Sequence, residues 1–463
     1  MQSPSDRPAE RAVQSPSKGT LTESLTIAER DVLIGRLQTA WKDLSPDAQA
    51  AVRPLLERGH QELADYVASG KPPAHHTQMT LRLKSYLTND WDAHLARLEQ
   101  KLNLAGAQPV TSPAAPQAIQ VTTAPDGSIL GSGRFQQLDP RWELVAGTVW
   151  LEHLLFKHPF PPGAPDSPEP IPDNVSIALL SDWGTGNFGA GDAPSVKIAN
   201  FASTLKPTYT VHLGDVYYAG QTSEETNNFL SWWPQGSSAS FALNSNHDMY
   251  SGGGPYFDQV VGGPIFNKLQ SPWSFFALET SHWIVIGLDS AYFSSALQLY
   301  LSGTLGHNNA QTQFLKTMAQ RAGDSQKKVI LLTHHNPIPV AGIAPLESPA
   351  PLQLFVDVMD AFAGQPPPAY WYYGHEHVGA AYAPLQGSGI RCRCIGHGAL
   401  PWGQSTDLAN AQAAGLIDWH ENRLANDPDD PLRVYNGFAV LHLNGPDLTE
   451  TFHDELGGVA WRP

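Results

Sequence analysis

Five short apolar runs in the second half of the chain each end in residues able to hold a metal ion. Val175–Leu180 runs into Ser181-Asp182-Trp183-Gly184, and Tyr209–Leu213 into Gly214-Asp215, with Tyr218 three residues on. Phe241–Leu243 runs into Asn244-Ser245-Asn246-His247-Asp248, Val329–Leu332 into Thr333-His334-His335, and Tyr370–Tyr373 into Gly374-His375-Glu376-His377. One such ending means little; five in series are the pattern of a metal site assembled by strand-end loops. Carboxylates, imidazoles, an amide and a phenol are hard-to-borderline donors that suit iron, manganese or zinc. Two carboxylates with three or more imidazoles exceed what a single four-coordinate zinc takes. A two-metal site uses them all, with one carboxylate bridging. Two metals ~3.5–4 Å apart clamp the attacking and leaving oxygens of an in-line displacement.

The elements that must carry these residues are short and rich in β-branched and aromatic side chains, which marks buried strands. A carboxylate such as Asp215 at the carboxyl end of such a strand lies where open sheets bind their ligands. Further strand-like runs are Trp283–Leu288, Ile390–Ile395 and Phe438–Leu443, and helices fit Pro194–Leu205 (capped by Asp192), Ala310–Ala322 and Leu352–Phe362. The alternation predicts an α/β or α+β domain with one or two sheets over residues 173–463. Ahead of it, residues 1–20 read as a disordered tail and 21–104 as a small helical bundle. In the bundle Thr26 and Glu29 form a capping box, Pro54 interrupts or kinks the second helix, and Trp91, Leu95, Leu98 and Leu102 mark a third. Residues 105–172 read as a linker with one helix, started by Asp139-Pro140 and running to about Phe156.

In order along the chain, D-x-G, GDxxY, NH[DE], HH and GHxH resemble the motifs of the calcineurin-like metallophosphoesterases. The Tyr of GDxxY and the Gly of D-x-G make the purple acid phosphatase branch the most similar. The resemblance covers roughly residues 175–400. It implies a two-sheet β-sandwich flanked by helices. It also implies that Asp182, Tyr218 and His377 hold one metal, that Asn246, His334 and His375 hold the other, and that Asp215 bridges. His247 is then the residue that touches the scissile phosphate or leaving group, and Asp248 the one that orients it. The activity implied is hydrolysis of a phosphomonoester or phosphodiester by a metal-activated hydroxide. This chain departs from the pattern in two places. Ser245 stands where a Gly usually precedes Asn-His, and Gly184 where many relatives have a His. The second departure leaves the first metal a donor short, which Tyr218 would supply; a phenolate favours Fe(III) there, with Fe, Zn or Mn in the second site. His334 directly follows its strand and is taken as the ligand over His335.

The balance of 28 basic against 44 acidic residues, net −16, argues against nucleic acid or anionic membrane as a partner. A small phosphorylated substrate remains compatible, because a metal inverts the local field. The two cysteines, Cys392 and Cys394, are one residue apart on a strand, a poor geometry for a disulfide. With no apolar leader and no run near the ~20 residues of a membrane span, the expectation is cytoplasmic. Gly184-Thr-Gly186-Asn-Phe-Gly189 is a literal G-x-G-x-x-G, but no helix opens on it and residues 203–214 contain no acid before Asp215 in reach of a ribose. A nucleotide-dependent oxidoreductase is therefore disfavoured. The alternative to the enzyme is a metal-binding interaction scaffold on the same fold, its helical bundle recruiting a protein partner or a second copy.

Overall fold

The computed structural model describes residues 26–69, 83–88, 90, 93, 122–130, 133–136, 139, 141–189, 191–342 and 352–463. Residues 1–20 and the helix expected around Leu95, Leu98 and Leu102 lie outside them. After a short hairpin of β1 (Thr122–Thr123) and β2 (Ile129–Leu130), fourteen strands form two sheets. The first contains β4 (Asn174–Leu180), β5 (Tyr209–His212), β6 (Ala239–Ala242), β14 (Gly437–Asn444), β15 (Asp447–Asp454) and β16 (Val459–Trp461), in the order β16-β15-β14-β4-β5-β6. The second contains β3 (Glu169–Pro170), β7 (Phe276–Glu279), β8 (Trp283–Gly287), β9 (Lys328–Leu332), β10 (Tyr370–Tyr373), β11 (Gly379–Tyr382), β12 (Arg391–Ile395) and β13 (Ile417–His420). Their order is β13-β11-β12-β10-β9-β8-β7-β3.

Side chains alternate across each strand, and in the central strands both faces are buried. In β4, Val175, Ile177 and Leu179 point into the layer between the sheets, where they meet Ile330 and Leu332 of β9 and Tyr372 of β10. Ala178 and Leu180 point the other way, into an outer cluster with Ile198 and Ala202 of the helix Pro194–Thr204. In the second sheet Val329, Leu331, Trp371 and Tyr373 pack outward against Phe314, Met318, Leu354 and Val358 of two helices. This double burial explains why the runs read as continuously apolar. The result is a two-sheet sandwich with helices on its outer faces, as expected.

The central strands are parallel and end level: Leu180 stands opposite His212, and His212 opposite Ala242. On the other sheet Leu332 stands opposite Tyr372. The carboxyl ends of β4, β5, β6, β9 and β10 therefore open at one edge of the sandwich.

Ahead of the sandwich, Thr26 and Glu29 make the reciprocal capping box, and the helix Ile27–Asp43 follows. The next helix runs unbroken over Pro46–Ser69, with Pro54 inside it rather than at an interruption. Leu37, Val52, Leu56, Leu83 and Tyr86 from this region join one buried cluster with Trp142, Val149 and Trp150. That cluster continues through Trp183, Tyr217 and Met249, so the described N-terminal helices share their core with the sandwich. One cap differs from expectation: the helix Pro194–Thr204 is preceded by Ala193, whose N–H is taken by Asn187 Oδ1 (2.9 Å), and not capped by Asp192. Cys392 and Cys394 are free and buried.

Candidate metal centre

Three of the strand-end residues leave their strands with left-handed backbone: Asp182 (φ 52°), Asp215 (φ 77°) and His375 (φ 68°). A non-glycine residue there is strained and needs the surrounding fold to hold it. The turn also needs two glycines. At Gly214 (φ 109°) a Cβ would lie 2.7 Å from both His334 Nδ1 and the Ser245 side chain. At Gly374 a Cβ would collide with Ser181 Oγ and Asp182 Oδ2. These conformations aim the side chains into one buried space.

The side chains form two clusters that share Asp215. In the first, the Tyr217 hydroxyl lies 2.8 Å from Asp215 Oδ2, 3.3 Å from Asp182 Oδ1 and 3.2 Å from His377 Nε2. His377 Nε2 is 3.5 Å from Asp182 Oδ1. In the second, His334 Nε2 lies 3.3 Å from Asp215 Oδ1 and 2.8 Å from Asn246 Oδ1. His375 Nδ1 is 3.1 Å from the same amide oxygen. The two oxygens of one carboxylate thus face different clusters.

Whether these residues fit a metal is decided at His334. Its Nδ1 sits 2.9 Å from the Leu213 carbonyl, an acceptor, so Nδ1 carries the proton and donates. Burial pushes the imidazole down to about 3, so at neutral pH it is neutral and Nε2 presents a lone pair. That lone pair faces Asn246 Oδ1 and Asp215 Oδ1, both also acceptors, and Asp215 Oδ1 is buried without a hydrogen-bond partner. Three lone-pair atoms converging in a dry site repel one another unless a cation lies between them. The donor atoms of Asp182, Asp215 and His334 all lie within 4.8 Å of one another. His377 is likewise held neutral, pushed down to about 4 by burial, and burial holds His375 well below its ordinary value. Burial, and then the neighbouring Asp215 charge, raise Asp182 well above the carboxylate range. Two carboxylates in this space need positive charge to ionise together.

Two site residues fall elsewhere than expected. The phenol that reaches the carboxylates belongs to Tyr217 and not to Tyr218. Tyr218 is drawn away: its hydroxyl donates to Asp139 Oδ2 (2.9 Å) and its ring stacks on Phe135 at 4.7 Å. Asp248 does not orient His247. Its Oδ2 accepts from Ser245 N (3.0 Å) and Ser245 Oγ (2.6 Å), closing the first turn of the helix Asn246–Tyr250. His247 is oriented by the Tyr218 carbonyl, 2.6 Å from its Nδ1, which leaves Nε2 facing the centre, 3.9 Å from Asp215 Oδ2. Ser245, in place of a glycine, is the N-cap of that helix and accepts from Asp248 N. His335 is committed on both nitrogens, to Ser290 Oγ (2.9 Å) and the Tyr300 carbonyl (2.8 Å). His334 is therefore the imidazole of that pair that faces Asp215.

Sequence reasoning missed Tyr217 and also Trp142, whose ring centroid stands 5.5 Å from that of His247 and 6.0 Å from that of His377. The adjacency of two tyrosines was the only local signal for the first, and nothing local marks the second. The glycine-rich segment 184–189 is a loop, as expected, and enters no helix.

No curated protein sequence matches the chain. A dimetal phosphatase from Danio rerio is similar in structure at 12% identity and a TM-score of 0.43, over 61% of this chain and 96% of that one. GAP50, the anchor in the inner membrane complex of Plasmodium, is similar at 14% identity and a TM-score of 0.42, over 63% of this chain and 88% of that one. Residues 175–379 match the calcineurin-like phosphoesterase family, and they span every strand end that supplies the two clusters. That match and the two-sheet topology make this part of the chain similar to the calcineurin-like phosphoesterases.

Proposed function

We propose that the protein hydrolyses phosphate esters at a centre of two metal ions. One would be held by Asp182, Tyr217 and His377, the other by Asn246, His334 and His375, with Asp215 between them. The observation that carries this reading is Asp215, whose Oδ2 faces the first cluster while the unpartnered Oδ1 faces the second. When bound, the metals supply Lewis acidity toward phosphate oxygens and lower the pKa of water.

The chain's own residues do the rest. Because the Tyr218 carbonyl fixes the proton on Nδ1 of His247, Nε2 is the atom that exchanges a proton with the leaving oxygen. The carbonyl of Leu213 does for His334 what that of Tyr218 does for His247, fixing ring and tautomer. The buried surroundings of Asp215 and His334 exclude bulk water and strengthen every charge interaction inside. A phenol at the first cluster favours Fe(III) there, and the imidazole–amide cluster suits Fe, Zn or Mn. The substrate is a small phosphorylated molecule, and a purple acid phosphatase-like assignment rests on Tyr217. Among the described residues no helix is long and apolar enough to cross a membrane.

The test is hydrolysis of a chromogenic phosphomonoester and the matching diester by protein loaded with Fe, Mn or Zn, with Asp215→Asn alongside. Turnover that requires metal and disappears in the variant is expected. Two metals bound with neither ester cleaved would remove the hydrolase reading and leave a metal-binding scaffold.

A further inference from the structure

Trp142 reaches the metal centre from outside residues 175–379. It opens a π-helical turn, Trp142–Ala146, that leads into the helix Gly147–His153. Its ring centroid lies 5.5 Å from that of His247, 5.9 Å from Tyr217 and 6.0 Å from His377, and the residue is 3% exposed. These are contact distances for edge-on rings, so no group of aryl size fits between the indole and His247. His375 is half-buried. At His247 the indole walls the centre.

The wall is fixed at several points and does not hang on a loop. Asp139, 1% exposed, accepts from Phe135 N (2.9 Å), Arg141 N (2.9 Å) and the Tyr218 hydroxyl (2.9 Å), tying the turn before Trp142 to the loop after β5. Gln136 hydrogen-bonds Asp430 of the C-terminal region. Further along, Trp150 Nε1 donates to the Ala296 carbonyl (2.8 Å), and Glu152 takes both arms of Arg36 (3.1 and 2.7 Å).

We propose that Trp142 is a specificity-determining residue, a fixed wall over His247 that admits phosphate esters of compact alcohols and excludes those with bulky leaving groups. The inference rests on the phosphoesterase reading, because it is His247 that meets the leaving oxygen. A leaving group that meets His247 meets a ring packed edge-on against the indole, so the indole's position limits its size.

The experiment compares a short-chain alkyl phosphate with 1-naphthyl phosphate, both followed by phosphate release, in the metal-loaded full chain and in Trp142→Ala and Trp142→Phe. One pocket contact of this kind is worth about 10–200-fold in discrimination. The naphthyl-to-alkyl ratio of kcat/KM should rise at least about tenfold in Trp142→Ala and less in Trp142→Phe. Trp461→Phe, on the edge strand β16, should leave the ratio where it was. An active Trp142→Ala enzyme with an unchanged ratio, or with both substrates slowed alike, overturns the proposal. If Trp142→Ala does not fold, Trp142→Phe carries the same test with a smaller shift. A second readout needs no turnover: the rate at which a chelator strips manganese from the loaded protein. If no variant hydrolyses either ester, faster stripping in Trp142→Ala keeps the wall and removes the phosphoesterase reading, and unchanged stripping overturns the wall as well.

Discussion

Which of two adjacent tyrosines meets the metal can be decided by counting protons. In the metal-free protein burial, and then the Asp215 and Asp182 charges, push the Tyr217 phenol well above its ordinary value. It therefore keeps its proton throughout pH 6–8. A cation held by Asp182, Asp215 and His377 would displace that proton, because the phenol oxygen already lies within 3.3 Å of all three. Metal affinity then rises with pH, and the phenol's share of that rise is about tenfold per pH unit, one proton's worth. Protons released by other donors are common to wild type and variant and cancel in the comparison. Tyr217→Phe should weaken metal binding by at least the roughly 10–100-fold seen for supporting groups around a metal. Its deficit should widen by about tenfold, or about 1.4 kcal/mol, for each unit of rising pH. Tyr218→Phe breaks a hydrogen bond to the buried Asp139 carboxylate and should cost about 1.5–3 kcal/mol of stability while leaving the slope intact. Competition against a chromophoric chelator across pH 6–8 reads the slope directly. If Tyr218→Phe flattens the slope and Tyr217→Phe does not, the assignment of the two phenols is inverted. If neither does, no phenolate binds the metal.

Further outcomes follow from single residues. Asp215→Asn should abolish ester hydrolysis and lower the number of metals bound per chain, measured by elemental analysis, because both clusters lose their shared carboxylate. His247→Ala should lower kcat by about 10²–10⁴-fold with metal content unchanged, as expected for a group that only moves a proton; loss of metal instead would make it a ligand. Gly374→Ala should destroy metal binding even if the fold survives, since the new methyl would collide with Ser181 Oγ and Asp182 Oδ2, and a normal stoichiometry would refute the close packing. Acid should also destabilise the chain through buried histidines that the metal assignment does not use. Burial pushes His212 down to about 3 and His397 down to about 4, whereas an unfolded histidine titrates near 6.5. The unfolded state therefore binds protons first as pH falls, so this stability is complete above about pH 6.5 and erodes below it. By pH 5 each residue removes about 2 kcal/mol. Urea midpoints from pH 8 to pH 5 should show that loss, and His397→Asn should reduce it.

The donors were legible because of where they sit. A buried strand announces itself by apolar residues on both faces, and the first polar residue after it is fixed at the sheet edge by the register. Asp182, Asp215, His334 and His375 follow β4, β5, β9 and β10 within three residues, so their convergence needed no knowledge of distant contacts. Strands without that signature stayed hidden. β11 reads Gly-Ala-Ala-Tyr and exists because β12 and β13 pair with it on either side; β15 reads Asp-Leu-Thr-Glu-Thr-Phe-His-Asp and is held across its length by β14. Pro54 sits inside an unbroken helix for a similar reason: Val52 and Leu56 on either side of it are anchored in the shared core.

The Tyr217–Tyr218 exchange shows where local reading stops. Spacing alone favours Tyr218, three residues past Asp215. What turns it away is a carboxylate, Asp139, and a ring, Phe135, from a segment some eighty residues earlier. The same segment places Trp142 over His247, and the Tyr218 carbonyl, held in the same loop, sets the proton on His247. Asp139 therefore stands at a junction: one carboxylate fixes the turn that carries the wall and the tyrosine whose carbonyl orients the proton-transferring histidine. The strand ends within residues 175–379 supply the proposed metal donors, while residues ahead of them help to shape the space around His247. Relatives that keep every donor and differ in the segment ahead of β4 would, on this argument, bind the same metals and accept different esters.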